Sequence, residues 1–131
     1  MTEPVPVAYL STEDLRVAGE RLFGGKMPVR DWGLLEAALA RPKATAFGQD
    51  AYPDLHSKAG ALVHSIATSH PLVDGNKRLA LMAVLLFYGF NGYRLTATED
   101  ERVEIIVAIA AGELDSVPAI AERLAAWVVR R

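Results

Sequence analysis

The sequence predicts an all-α fold, and three observations carry that prediction. Apolar residues recur at helical spacing along nearly the whole chain, the segments that keep this spacing open on Ser, Thr or Asp and close on Gly or Pro, and no stretch sustains strand alternation. With 131 residues, 51% of them hydrophobic and 23% charged, the chain has the composition of one globular domain, residues 1–131. The expected architecture is a compact bundle of about six helices around a buried central one.

Ser11 with Asp14 opens the first helix, Leu15, Ala18, Leu22 and Phe23 form its apolar face, and Gly24-Gly25 stops it. Glu or Gln is usual three residues after such a cap, so the Asp makes a weaker version of the box. Asp31 caps a second helix bearing Leu34, Leu35, Ala38 and Leu39, which Pro42 ends. Lys43 to Pro53 (KATAFGQDAYP) lacks helical periodicity and reads as a loop or short hairpin. A third helix runs from about Asp54 to Ser69 with Leu55, Ala59, Leu62, Val63 and Ile66 on one side, and Pro71 breaks it.

The fourth helix, about Asn76 to Tyr88, is apolar almost all round, which makes it the buried central helix. Asn91-Gly92 signals a turn, and Tyr93 to Leu95 a short extended piece. Thr98 with Glu101 is a full capping box for a fifth helix ending near Gly112. Ser116 caps a last helix with Ile120, Leu124, Trp127 and Val128 facing inward. Trp32 and Trp127 are expected to pack, and His56 and His64 show no metal-like spacing with each other or with an acidic partner.

Several function classes are excluded on composition. The longest apolar run, Leu79 to Phe90, is too short to span a bilayer, so no membrane is expected. The start, MTEPVPVAYLSTED, lacks the cationic-then-apolar order of a signal peptide. The absence of cysteine rules out disulfides and thiolate-bound zinc and suits a reducing compartment, hence a cytoplasmic protein. Net charge is −2 and the 14 Lys and Arg are scattered, so no direct nucleic-acid binding is expected.

The chemistry concentrates in HPLVDGNKRLALMAVLLFYGFNG, which begins at His70. Gly75 ends a loop at the start of the apolar helix, where unpaired N–H groups and the positive end of the helix dipole meet. Gly75 lets a ligand approach that backbone, and Asn76, Lys77 and Arg78 follow in the first turn, so the segment suits a phosphate group. Asp74 is a hard oxygen ligand suited to Mg²⁺ beside phosphates. His70 is the side chain best matched to moving a proton at neutral pH. Together they describe transfer of a phosphate-containing group to a hydroxyl.

HPLVDGNKR resembles the Fic/Doc superfamily motif HPFx[DE]GNxR, and its NKR ending resembles the Doc (death-on-curing) branch, not the AMP-transferring Fic branch with GNGR. GGKMPVRDWGLLEAALARP, YPDLHSKAGALVHSIATSHP and LLFYGFNGYRL are similar to Doc segments in the same order, so the resemblance covers nearly the whole chain. It implies a Doc-type toxin of a toxin–antitoxin system: a kinase that moves the γ-phosphate of ATP, with Mg²⁺, to a Ser or Thr hydroxyl of a translation factor, elongation factor Tu by resemblance. Translation inhibition and growth arrest would follow, and a cognate small antitoxin would bind in a groove and silence it.

By the same resemblance His70 is the general base, Asp74 holds Mg²⁺, Asn76 orients phosphates and Arg78 stabilises their charge. Gly75, Asn76, Lys77 and Arg78 contact the nucleotide. Lys77 replaces a glycine of the AMP-transferring motif, and Leu81 stands where Fic enzymes carry a second arginine; both favour kinase chemistry. Leu72 replaces the motif phenylalanine, and Leu79 the threonine common after NKR. The hairpin region would be a flap that aligns the target's backbone by strand addition. The competing readings are a Fic-type AMP transferase and a non-catalytic, antitoxin-binding co-repressor.

Overall fold

The computed structural model describes residues 6–131; the first five, part of the N-terminal stretch read above for a leader, lie outside the described residues. The element order is α1 (Thr12–Phe23), α2 (Trp32–Ala40), a 3-10 turn (Arg41–Lys43), β1 (Thr45–Ala46), β2 (Gln49–Asp50), α3 (Leu55–Ser69), α4 (Asn76–Phe90), β3 (Tyr93–Leu95), α5 (Glu99–Ala110), α6 (Val117–Ala125) and β4 (Val128–Arg130). The fold is all-α with two small antiparallel strand pairs, β1–β2 and β3–β4.

Local chemistry sets most helix ends. Side chains of Ser11, Asp31, Asp54, Thr98 and Ser116 each accept an N–H bond in the first turn of the helix they precede. At α1 the capping box closes in both directions although Asp14 replaces the usual Glu. Gly24, at φ 68°, ends α1, and the chain turns back so that Met27 packs on Gly19, where a β-carbon would collide with the Met27 sulfur.

The core forms where α3 and α4 pack along each other, with α2, α5 and α6 around them. Leu62 and Ile66 of α3 meet Leu79, Val84 and Phe87 of α4, with Leu35, Ile109 and Ile120 from the surrounding helices. Gly60 lets α6 come close: a β-carbon there would stand 3.2 Å from the Val117 carbonyl oxygen.

Three details differ from the sequence expectation. Only one face of α4 is fully buried; Leu81, Met82, Leu85 and Leu86 stay half-buried and, with Leu22, line an apolar trough of about 470 Å³. Leu22 is therefore exposed although it lies on the apolar side of α1. The last helix stops at Ala125, and Val128 belongs to β4, paired Leu95 to Val128 and Tyr93 to Arg130. The Thr96 amide and hydroxyl both donate to the Trp127 carbonyl, so the exposed edge of β3 offers the chain end a better partner than another helical turn. Trp127 does pack, half-buried, whereas Trp32 keeps 45% of its surface exposed.

The Lys43 to Pro53 segment takes the hairpin alternative. Phe47 and Gly48 form its two-residue turn, both left-handed at φ 55° and 77°, and the Phe47 side chain stands fully exposed at the tip. Arg41 and Tyr52 close its base, with Arg41 Nε donating to the Tyr52 hydroxyl at 2.9 Å.

Candidate functional site

The loop between α3 and α4 is bounded by two left-handed residues, His70 at φ 54° and Gly75 at φ 87°. His70 is the C-cap of α3, a position where a non-glycine residue needs outside support. Arg30 supplies it: its guanidinium donates to the His70 carbonyl at 2.7 and 3.0 Å and to the Ser69 carbonyl at 3.3 Å. Those carbonyls are the ones a helix end leaves unpaired.

The same strand of chain straps the rest of the loop. The amides of Arg30 and Asp31 donate to the Pro71 carbonyl, and the Val73 amide donates to Pro28. Val29 and Leu72 form an isolated antiparallel bridge. Leu72 is buried, so it fills the anchor position held by phenylalanine in the motif it resembles. Leu79 is equally buried on the core face of α4.

Asn76 closes the loop from the inside. Its Oδ1 accepts from the Leu72 amide at 2.8 Å and its Nδ2 donates to the Leu72 carbonyl at 3.0 Å. Both polar ends of the side chain are thus engaged with backbone, which fixes the loop's path over the start of α4. Asn76 shapes the seat in this structure by holding its backbone.

At α4 no side chain caps the helix, and Gly75 is its N-cap. The first-turn amides therefore have no intrahelical partner. A β-carbon on Gly75 would run into the outer edge of the Phe23 ring, so glycine is favoured by space as well as by φ. The Arg78 guanidinium lies over the same ring, 4.8 Å from its centre.

His70, Val73, Asp74, Gly75, Asn76, Lys77 and Arg78 line one shallow cavity of about 250 Å³. All six residues singled out in the sequence therefore meet in one place. His70, Asp74, Lys77 and Arg78 are exposed there. The cavity is below the about 300–1,000 Å³ of ordinary small-molecule sites. It suits the phosphate end of a ligand, not a whole nucleotide.

The donor set bears on Mg²⁺. Among the described residues no group of three or more His, Asp or Glu could cage a metal. Asp74 is a single carboxylate beside the open N-terminus of α4, a donor set that fits Mg²⁺, an ion commonly held by one or two carboxylates plus substrate phosphates and water.

The residues that support the loop and the hairpin were not singled out for function by sequence reasoning. Arg30 and Phe23 act across long sequence separations and left no local signal. Arg41 Nη1 reaches His64 Nδ1 at 2.9 Å and Ser65 Oγ at 3.0 Å, while His64 Nε2 meets Asp115 Oδ1 at 3.0 Å. His64 thus meets an acidic residue 51 positions away, without any metal-like spacing, in a polar chain that ties the hairpin base to α3. Lys58 is buried on the core side of α3, and a lone cation among Ala59, Gly60 and Ala61 was the signal available.

A model of the Fic/DOC family matches residues 9–88, a span that takes in α1, the loop and most of α4, and the chain belongs to that family. Within it the chain falls in the Doc toxin branch. It is 50% identical over 115 residues to Toxin Doc of Mycolicibacterium smegmatis (strain ATCC 700084 / mc(2)155), an alignment that covers 85% of this chain and 88% of that protein.

No helix among the described residues is long and apolar enough to cross a membrane.

Proposed function

We propose that this chain is the toxin of a toxin–antitoxin pair and a protein kinase that transfers the γ-phosphate of ATP to a Ser or Thr hydroxyl of a translation factor, by resemblance elongation factor Tu. The observation that carries the reading is that His70, Asp74, Lys77 and Arg78 share one cavity with the uncapped N-terminus of α4. The polyphosphate sits on the first-turn amides, where backbone dipoles already point and need no rearrangement. Lys77 and Arg78 offset its charge. His70 takes the hydroxyl proton as the oxygen bonds to the γ-phosphorus, the bond from that phosphorus to the bridging oxygen breaks, and ADP leaves with its electrons. Mg²⁺, held by Asp74 and the phosphates, would screen the charge on the leaving diphosphate.

Lys77 supports kinase over AMP-transfer chemistry, because its side chain enters the first turn where the Fic motif has glycine. An antitoxin segment is the proposed partner, and the apolar trough between α1 and α4 is a surface of the right chemistry for it. Purified elongation factor Tu incubated with ATP labelled separately at the α and γ positions tests both enzymatic readings. Label from γ, lost in His70→Ala, supports the kinase. Label from α makes the chain an AMP transferase, and no label from a folded sample leaves the binding module.

A further inference from the structure

Arg78 is an exposed, long side chain with no hydrogen-bond or ion-pair partner among the described residues, yet it is asked to meet a phosphate at a defined place. An arginine left to itself samples many rotamers, and ordering them lowers the rate or affinity of whatever needs the one productive arrangement. The ring of Phe23 is the feature that restricts it. Its centre lies 4.8 Å from the Arg78 guanidinium carbon, within the range of a cation–π stack.

We infer that Phe23 is the positioning residue of Arg78, an aromatic platform that aims the guanidinium at the phosphate seat; the inference rests on the reading of Arg78 as a phosphate contact. Three observations converge on it. Phe23 is the last residue of α1, and the Gly24 and Gly25 amides both bond back to the Glu20 carbonyl, so the ring leaves a firmly ended helix. The ring fills the space that any side chain at position 75 would take, which puts it directly beneath the seat. Arg78 also borders the apolar trough on its other side, alongside Leu22 and Leu81, so without the ring it has a second region to turn towards.

Phe23 touches no reacting atom. It acts through Arg78, and the test separates that from a merely structural role. In the wild type and in Phe23→Tyr, the Nε–H proton of Arg78 resonates upfield through the ring current, and in Phe23→Leu it returns to the position of a solvated arginine, with no nucleotide present. In γ-phosphate transfer to elongation factor Tu, Phe23→Leu lowers kcat at least tenfold at unchanged KM for the protein acceptor, and Phe23→Tyr keeps most of the wild-type rate. In an Arg78→Ala background the same Phe23→Leu change has no further effect, because its role is already gone. An unshifted Arg78 resonance in the wild type overturns the stack. An equal loss from Phe23→Leu with and without Arg78 overturns the positioning role. Wild-type protein that neither binds ATP nor transfers label overturns the reading of the site itself, whereas active wild type with equally active Phe23→Leu overturns the Phe23 assignment alone.

Discussion

Lys58 of α3, with 2% of its surface exposed, holds Asp50 of the hairpin at 3.2 Å and donates to the Pro42 carbonyl at 3.3 Å. Its ammonium also stands 5.7 Å from the ring centre of Tyr9. One buried cation thus gathers the hairpin, the turn before it and the segment leading into α1.

The two halves of that contact are unequal. Asp50→Ala leaves the buried ammonium without its charged partner, with the Pro42 carbonyl still accepting from it, and is expected to cost about 2 kcal/mol because Asp50 itself is half exposed, whereas Lys58→Met keeps the apolar stem, leaves one carbonyl unpaired and costs about 1 kcal/mol. Urea unfolding of both variants checks the order. In Lys58→Met the amides of 45–50 also exchange faster with solvent than in wild type.

Arg30→Ala removes the support of the last α3 carbonyls. His70 should then leave its left-handed conformation, with transfer falling at least tenfold and stability by about 1–2 kcal/mol. Arg30→Lys does not restore activity, since a single ammonium cannot reproduce the fork that spans two carbonyls. Steady-state rates of the two variants decide it.

Gly75→Ala drives a β-carbon into the Phe23 ring at a φ that disfavours side chains. A loss of about 2 kcal/mol is expected, seen as a lower urea midpoint at unchanged m-value, together with loss of transfer.

The α5 capping box gives a pH signature. The bond from the Thr98 amide holds the Glu101 carboxyl below its usual value of 4.5. A carboxyl whose pKa is lower in the folded chain stabilises in full above its unfolded value, and that contribution fades as pH falls through the folded one. The stability difference between wild type and Glu101→Ala, followed by denaturant unfolding from pH 7 to pH 2, should therefore shrink below about pH 4.5.

What could be read from the sequence was local. Ser11, Asp31, Asp54, Thr98 and Ser116 announce helix starts through bonds to residues three positions on, and Gly24 and Pro71 announce stops. That six candidate residues would meet in one cavity was legible because they lie within nine positions of one another, and a helix N-terminus needs no distant partner to exist. The supports were hidden by distance: Arg30 acts 40 residues away on His70, and nothing in either neighbourhood names the other. The tail was misread for a related reason. Trp127 and Val128 continue a helical period, and only the free edge of β3, more than 30 residues back, turns them into a strand. The paired valines, β-branched, were the one local hint.

The loop between α3 and α4 is pinned at both ends by left-handed residues and crossed from within by the Asn76 side chain. It has little conformational freedom left to surrender. On the proposed reading, a nucleotide arriving there meets a finished receptor: free and loaded chains are expected to share one backbone, and the association rate to respond to charge and ionic strength instead of waiting on a rearrangement.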